Sequence, residues 1–213
     1  MTSSNQKSLF LMQKIILELP FEFENLILKG LVLVKPKVFQ DERGFFLESY
    51  KKDEFEKAGI SGEFVQHNHS GSVRGVLRGL HFQLEPFSQA KLVRCVRGEI
   101  FDVAVDLRRS SPTFGKHVSV ILSERNRYEL YIPRGFAHGF QVLSEWAEVV
   151  YSVDNVYSPK HEAGVLWCDP ELGIKWPIEK PILSERDKKW PTLRELAKIL
   201  QKSLVLGKCY FTV

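Results

Sequence analysis

The sequence predicts a mainly β protein, an antiparallel jelly roll of the β-sandwich or barrel type, with short helices and one C-terminal helix. Three observations support this fold class. Short runs rich in β-branched and aromatic residues recur from about residue 27 to residue 167. Gly, Pro, Ser or Asn separate these runs at intervals of roughly ten residues, as turns do in sandwiches and barrels. Only one segment, near the C-terminus, has the pattern of a long helix.

The clearest strand is IFDVAVD at residues 100–106, in which polar and apolar residues loosely alternate. KLVRCV precedes it, and the intervening Arg97-Gly98 pair predicts a turn that makes the two segments a hairpin. Further strands are predicted in LVLVKP, FVQHN, GVLRGLHF, HVSVILS, YELYIP, FAHGFQVL and AEVVYSV.

Two segments predict helices. DEFEKAGI is long enough for a short helix only. PTLRELAKILQKSL begins with a capping box made by Thr192 and Glu195, and its apolar residues lie on one helical face. We therefore expect this helix to pack against the outside of the β body. The apolar face consists of Leu193, Leu196, Ala197 and Leu200.

The 213 residues suit one large β domain, because no repeat, low-complexity tract or linker divides them. We expect this domain to span residues 27–213. Residues 1–26 are predicted to be an N-terminal extension with partial disorder, and Met12 is an alternative start site. The apolar patch in this extension is interrupted by Gln13 and Lys14 and lacks a cleavage site, which argues against a signal peptide.

Charge and cysteine usage limit the partners and the compartment. The formal net charge of +4 suits an anionic small molecule, but no dense Lys/Arg run indicates nucleic-acid binding. No apolar run has the length of a membrane span. The three cysteines, Cys95, Cys168 and Cys209, are widely spaced and odd in number. We therefore predict a cytoplasmic protein without nucleic-acid or membrane partners.

Four stretches place polar side chains inside apolar strand patterns. Inward-pointing polar residues of this kind line the ligand pocket in small β barrels. For Arg78 and His81 to point inward together, a bulge or twist near Gly79 must change the phase of the strand, since their spacing of three does not match a period of two. The four stretches are RGLHFQ, QAKLV, PRGFAHGF and YSVDNVY.

Each candidate residue has a structural interpretation as well. His81 is as well explained as a hydrogen-bonded structural residue, His138 as a turn residue, and Lys91 as a solvated charge on an edge strand. Tyr151 and Tyr157 fit the core, with a hydroxyl in contact with water. Only their joint occurrence in a chain of short strands favours a binding site.

A metal site is a further alternative. His67 and His69 lie two residues apart, on one face of a predicted strand, and His138 with a glutamate would complete a site for Fe, Ni or Zn. Two observations count against it. SGSVRGV follows the histidine pair without an acidic ligand, and RGLHFQ lacks a second histidine.

The order of the motifs resembles a known family. RGLHFQ, GEIFDVAVDLR and PRGFAHGF follow one another as in dTDP-4-dehydrorhamnose 3,5-epimerases, which have a cupin-like fold. The likeness extends over roughly residues 33–190. It also includes KPKVFQDERGFFLESY, QHNHS, QAKLVRCVRGEIFDVAVDLRRSSPTFG, YSVDNVYSP, WCDPELGIKWP and LSERD.

The resemblance implies an isomerase of dTDP-L-rhamnose synthesis that inverts C3 and C5 of dTDP-4-keto-6-deoxy-D-glucose. The 4-keto group acidifies both C–H bonds. Inversion needs a base on one face of the sugar, stabilisation of the enolate oxygen, and an acid on the opposite face. Neither a nicotinamide nor a metal is required, and no G-x-G-x-x-G unit occurs in the chain.

By motif position, the resemblance assigns four catalytic roles. His81 is the general base, and an ordinary imidazole titrates near neutrality. Asp187 pairs with His81 and orients it. Tyr151 is the acid, because a phenol with its ordinary pKa of ~10 stays protonated at neutral pH. Lys91 lies beside the 4-keto oxygen and stabilises the enolate.

The remaining matches are substrate-binding positions. Arg43 and Arg78 resemble pyrophosphate contacts, where guanidinium groups make paired hydrogen bonds. Arg186 departs from the family, which often has Lys directly before the paired aspartate. Phe45 and Phe46 are candidates to stack on the thymine base or to line its binding site. The full set is Arg43, Glu48, Gln66, Asn68, Arg78, His138, Tyr157, Glu162 and Arg186.

The resemblance also implies a homodimer that exchanges N-terminal edge strands, so that Arg43 and Glu48 serve the partner's pocket. Three other functions stay open. One is a single-carbon epimerase or a ketoisomerase acting on a dTDP-keto sugar. Another is a metal-dependent cupin enzyme that uses His67, His69 and His138. The last is a sugar-nucleotide-binding module without catalysis.

Overall fold

The computed structural model describes residues 19–205, with side chains over residues 19–201. Residues 1–18 of the predicted N-terminal extension, including Met12, lie outside this range. The last part of that extension forms a paired strand. The strands are β1 (Phe21–Asn25), β2 (Val32–Pro36), β3 (Phe39–Asp41), β4 (Gly44–Phe46), β5 (Gln66–Val73), β6 (Leu77–Gln83), β7 (Lys91–Arg97), β8 (Glu99–Asp106), β9 (His117–Ser123), β10 (Glu129–Ile132), β11 (Phe136–Val142), β12 (Trp146–Val153) and β13 (Glu162–Gly164).

The strands form two facing antiparallel sheets. The six-stranded sheet has the order β1-β2-β10-β7-β12-β5, and the five-stranded sheet has the order β13-β6-β11-β8-β9. β3 and β4 make a separate two-stranded hairpin. This mainly antiparallel, two-layer arrangement confirms the predicted jelly-roll fold class.

Successive side chains of a strand point to opposite faces of its sheet, so the apolar residues of β8 are divided between two clusters. Ile100 and Ala104 of β8 face the other sheet and belong to the core between the sheets. Val103 and Val105 of the same strand point the other way, into a second cluster that includes the C-terminal helix. A strand buried on both faces in this way is apolar at nearly every position, which explains why β8 alternates only loosely.

The helices agree with the sequence pattern. α1 (Lys52–Lys57) is short, and α2 (Leu193–Val205) packs on the outer face of the five-stranded sheet. The predicted capping box is present, since the Thr192 backbone N–H donates to Glu195 Oε2 at 2.9 Å and the Glu195 N–H donates to Thr192 Oγ1 at 3.3 Å. Neither helix in the described range is long and apolar enough to cross a bilayer.

The predicted hairpin between KLVRCV and IFDVAVD is wrong. β7 pairs with β10 and β12, whereas β8 pairs with β9 and β11 in the opposite sheet. Only Gly98 separates the two strands, and one residue is too short for a two-residue hairpin turn. Gly98, with φ of +76°, therefore forms a corner at which the chain crosses between the sheets.

The predicted change of phase near Gly79 is confirmed. β6 pairs with β11 through His81 and His138, but also through Arg78 and Phe140, so β6 contains one extra residue between these pairs. The strands also approach closely here, because a Cβ at Gly79 would lie 2.5 Å from the Cα of Gly139. The bulge lets two residues three positions apart face the same side.

The packing of α2 predicts a clear contrast in stability. Leu196 is 3% exposed within the outer cluster, whereas Ile199 on the same helix is 52% exposed. Leu196→Ala should lower the free energy of unfolding by about 2–4 kcal/mol, because it leaves a cavity under the helix. Ile199→Ala should lower it by less than about 1 kcal/mol. Urea denaturation of both variants measures the difference, and equal losses would contradict this packing.

Candidate active site

A cavity of about 520 Å³ opens between the ends of the two sheets. The resemblance assigned catalytic or substrate-binding roles to thirteen residues, and eleven of them line this cavity, although they come from distant parts of the chain. Arg43 and Glu48 are the two that do not. The eleven are Gln66, Asn68, Arg78, His81, Lys91, His138, Tyr151, Tyr157, Glu162, Arg186 and Asp187.

The cavity has one wall from each sheet. Lys91 lies at the start of β7 and Tyr151 near the end of β12, both in the six-stranded sheet. His81 and His138 lie directly opposite each other on β6 and β11 of the five-stranded sheet. The imidazole and the phenol therefore enter the same space from opposite walls, while the neighbours of Lys91 and Tyr151 along each strand point away from it.

His81 is held by a buried carboxylate. Its Nε2 lies 2.5 Å from Asp187 Oδ1, and the indole Nε1 of Trp190 donates to the same oxygen at 3.3 Å. Burial is the largest single influence on the pKa of Asp187 and raises it. The hydrogen bond and charge of His81, together with hydrogen bonds from Ser184 and Trp190, outweigh burial and hold the pKa below the ordinary range. An ionised carboxylate only accepts hydrogen bonds, so Nε2 carries the hydrogen and Nδ1 is left to take a proton.

Lys91 is a desolvated cation. Burial lowers its pKa to about 8, against the opposing attraction of Asp102 and Glu162. An ammonium with so little water around it stabilises a nearby negative oxygen more strongly than an exposed one. Lys91 is thus suited to bind an anionic oxygen, and it loses this ability as the pH rises through about 8.

Tyr151 is suited to donate a proton. Burial raises the pKa of its phenol above the ordinary value, although the positive charge of Arg78 partly opposes this effect. The phenol therefore keeps its hydrogen across the whole neutral range. A group of this kind acts as an acid only toward a strongly basic acceptor such as an enolate carbon.

A polar network forms the mouth of the cavity. Tyr157 Oη donates to Glu162 Oε2 at 2.9 Å, and Arg186 Nη1 forms an ion pair with the same oxygen. The backbone N–H of Tyr157 donates to Gln66 Oε1 at 2.9 Å, and Gln66 Nε2 in turn donates to Asn68 Oδ1. Residues on β5, β13 and two loops are thereby joined into one rim.

Arg78 lies near the edge of the cavity on β6. Its Nε donates to Ser72 Oγ at 3.0 Å, which orients the guanidinium along β5. The bulge at Gly79 is what brings Arg78 and His81 to the same cavity. This position suits a guanidinium that binds an anionic group at the cavity entrance.

Arg43 and Glu48 lie away from the cavity of their own chain. Arg43 is on the β3–β4 hairpin, its side chain is 84% exposed, and it pairs with Asp41. Glu48 follows the hairpin. Phe45 and Phe46 are 56% and 65% exposed, so the hairpin presents aromatic side chains to its surroundings.

The histidines proposed as metal ligands do not converge. His67 Nδ1 contacts Ser152 Oγ, and His69 Nε2 lies 3.2 Å from Glu148 Oε2, both on the outer face of the six-stranded sheet. His138 points into the space between the sheets. The hypothesis that these three bind one ion is therefore wrong. Among residues 19–205, no group of three or more His, Cys, Asp or Glu side chains is arranged to hold a metal.

Sequence reasoning missed a residue behind the cavity wall. Asp102 of β8 is fully buried, and His138 Nε2 lies 2.9 Å from its Oδ2 and 3.1 Å from its Oδ1. A charged residue at an inward position of an apolar strand was the available signal in IFDVAVD. This signal by itself does not predict a site, because acidic residues also occur at strand ends and edges.

Comparison with known proteins gives one consistent result. Residues 25–195 match the family model of dTDP-4-dehydrorhamnose 3,5-epimerase. A protein of that name from Shigella flexneri is 60% identical over 157 residues, which cover 73% of this chain and 87% of that protein. One from Methanothermobacter thermautotrophicus is 50% identical over 178 residues, covering 82% and 96%.

The likeness extends to solved structures. A crystal structure of a dTDP-6-deoxy-D-glucose-3,5-epimerase from Legionella pneumophila, in complex with dTDP-4-keto-L-rhamnose, superposes with a TM-score of 0.81. Its sequence is 44% identical, and the superposition covers 84% of this chain and 96% of that one. Fold and sequence thus agree over nearly the whole length of this relative.

Proposed function

The chain belongs to the dTDP-4-dehydrorhamnose 3,5-epimerase family and is therefore an isomerase, and we propose that it inverts both C3 and C5 of dTDP-4-keto-6-deoxy-D-glucose without a cofactor. The observation that carries this proposal is the shared cavity, into which His81 and Tyr151 project from opposite sheets. Inversion of a carbon centre needs a base and an acid on opposite faces of the substrate.

The proposed reaction begins at His81. Nδ1 removes the proton from the carbon next to the keto group, and the bonding electrons move onto the 4-keto oxygen. The Lys91 ammonium stabilises this enolate, and Asp187 stabilises the imidazolium that has formed. The Tyr151 hydroxyl then protonates the carbon from the other face. Exchange with water afterwards returns the proton to the phenol and removes the one held by His81.

Substrate binding is proposed for the mouth of the cavity. The polar groups of the rim can bind the nucleotide and the sugar hydroxyls. The rim consists of Gln66, Asn68, Tyr157, Glu162 and Arg186. Arg78 on β6 and His138 on β11 line the same cavity and complete the set proposed to contact the substrate. The net charge of +4 suits a substrate that carries a diphosphate.

We also propose a homodimer in which each hairpin serves the partner's cavity. β5 is the open edge of the six-stranded sheet and carries Gln66 and Asn68. The β3–β4 hairpin is exposed, presents Phe45 and Arg43, and lies away from its own cavity. Pairing of a partner's hairpin with this edge would cover both and would bring Arg43, Phe45 and Glu48 to the bound nucleotide.

The proposed location is the cytoplasm. In the described part of the chain the cysteines are Cys95 and Cys168, and both are free thiols. Free cysteines are expected in a reducing compartment.

Turnover in D2O tests the proposed reaction. With dTDP-4-keto-6-deoxy-D-glucose as substrate, deuterium should enter at both C3 and C5, because each inverted carbon takes its new hydrogen from exchangeable groups. Proton NMR of the product measures both positions. Deuterium at one carbon would support a single-carbon epimerase instead, and no deuterium at either would overturn the proposal.

The two assigned roles predict different losses in the same assay. His81→Ala should abolish exchange at both carbons, since no base remains on that face. Tyr151→Phe should lower epimerisation by roughly 10²–10⁴-fold, the usual contribution of an acid–base group, while some exchange survives from the His81 side. His67→Ala on the outer face is the matched histidine control and should keep full activity. Intact turnover in Tyr151→Phe would contradict the acid assignment.

The pKa of Lys91 predicts a basic limb in the pH profile. Because the protonated amine stabilises the enolate, kcat should fall as the pH rises through about 8. Lys91→Arg should be slower, but its activity should persist to higher pH, since a guanidinium stays protonated there. Initial rates between pH 6 and pH 10 measure both curves. An identical basic limb in the two proteins would show that another group titrates there.

Mixed dimers test whether the hairpin serves the partner. Arg43→Ala and His81→Ala should each be nearly inactive as homodimers. When the two variants are co-expressed in equal amounts, half of the dimers are mixed and each mixed dimer has one intact cavity. The expected activity is thus about a quarter of that of the unmodified protein.

The control mixture combines His81→Ala with Asp187→Asn. Both residues belong to the same cavity, so every cavity in the mixed dimer carries one defect and no activity should return. If Arg43→Ala and His81→Ala also failed to restore activity in a purified mixed dimer, Arg43 would not act in the partner's cavity.

A further inference from the structure

Asp102 is a buried carboxylate to which none of the catalytic or binding assignments gives a role. It lies on β8 between Ile100 and Ala104, both of which belong to the apolar core between the sheets, and it is 0% exposed. A carboxylate at such a position is costly unless polar or charged groups compensate it. The groups that surround it therefore indicate why it is there.

The first of these groups is His138. Both carboxylate oxygens of Asp102 lie near His138 Nε2, at 2.9 and 3.1 Å. Because a carboxylate accepts hydrogen bonds, this nitrogen carries the hydrogen, and Nδ1 is the ring nitrogen left for another contact. His138 lines the cavity and is only 7% exposed, while Asp102 lies behind it. The carboxylate thus fixes the orientation of a cavity-wall imidazole.

The second group is Lys91, which faces the interior from β7 in the opposite sheet. Burial lowers the pKa of Lys91. The negative charges of Asp102 and of Glu162 on β13 both raise it, and Asp102 has the larger effect of the two. Asp102 therefore acts on the cation that is proposed to stabilise the enolate. The other ionisable side chains facing this space are Arg78 and His81 from β6, His138 from β11, Tyr151 from β12, and Tyr157, Arg186 and Asp187 from the loops at its mouth.

We propose that Asp102 is a positioning residue of the epimerase site, which orients His138 and supplies the buried negative charge that balances the Lys91 ammonium. It acts through these two side chains and does not itself line the cavity. This inference rests on the proposed function, because it concerns the same reaction. Asp102→Asn removes the charge but keeps an oxygen that can accept the His138 hydrogen bond, so it should change the chemical step and its pH dependence more than the binding of substrate.

Asp106 offers a matched comparison on the same strand. It also faces inward from β8 and is 0% exposed, but it binds Arg108, Ser111 and Thr113 in the loop that follows. It does not line the cavity and does not contact His138. An effect of Asp102 that came only from burial of a carboxylate in β8 would be reproduced at Asp106.

The test compares Asp102→Asn with Asp106→Asn by NMR titration of Lys91. The ¹³C resonance of the lysine Cε reports protonation of Nζ, and the signal of Lys91 is identified by its absence in Lys91→Arg. We expect the midpoint to fall by about one pH unit or more in Asp102→Asn, since a favourable charge is lost, and to stay unchanged in Asp106→Asn. An unchanged midpoint in Asp102→Asn would overturn the inference.

Kinetics give the second readout. A fall of one unit from about 8 reduces the protonated fraction of Lys91 about fivefold at pH 8, so kcat should fall at least fivefold there and less at pH 6.5. KM should change less than about threefold. A loss that is confined to KM, or that is the same at both pH values, would contradict the assigned role.

Glu162→Gln keeps the inference testable if Asp102→Asn does not fold. Because Asp102 has the larger influence, removal of the Glu162 charge should move the Lys91 midpoint by less than about half a unit. A larger shift would assign the main balancing charge to Glu162 and overturn the inference. The NMR measurement uses ligand-free protein, so its result is separate from turnover of the unmodified protein, which tests the epimerase function itself.

Discussion

The hydrogen bond between His81 and Asp187 is the contact on which the arrangement of the cavity depends. It joins residues 106 positions apart and brings the segment before α2 against β6. The Asp187 backbone N–H donates to Ser184 Oγ, and the Trp190 indole donates to the Asp187 carboxylate, so contacts other than the imidazole also hold Asp187 in place. This contact thus closes one side of the cavity. Because it occupies Nε2 of His81, it leaves Nδ1 to act as the base.

The second constraint is the low polarity of the space between the sheets. The same burial that stabilises the fold raises the pKa of Tyr151 and lowers that of Lys91. The phenol therefore stays a proton donor, and the ammonium loses part of the solvation that would stabilise it at the surface. A β-sandwich with several ionisable groups on its inner walls gives each of them a reactivity that it would not have on the surface.

Much of the fold was predictable because it follows from local patterns. The strands, the capping box at Thr192 and the single apolar face of α2 all depend on neighbouring residues along the chain. The connection between β7 and β8 was not predictable in this way. Whether two adjacent strands form a hairpin or enter different sheets depends on the residues each pairs with, and those pairings join distant segments.

The sequence by itself determined which chemical groups are available for catalysis, because the motifs around His81, Lys91 and Tyr151 identify these side chains. Only the tertiary structure decided how they are arranged. It put His67 and His69 on the outer face of the six-stranded sheet, placed a bulge beside His81 and buried Asp102 behind a cavity wall. The physical reason is that a side chain's direction and burial depend on strand phase and on sheet partners, which are set by contacts between residues far apart in the chain.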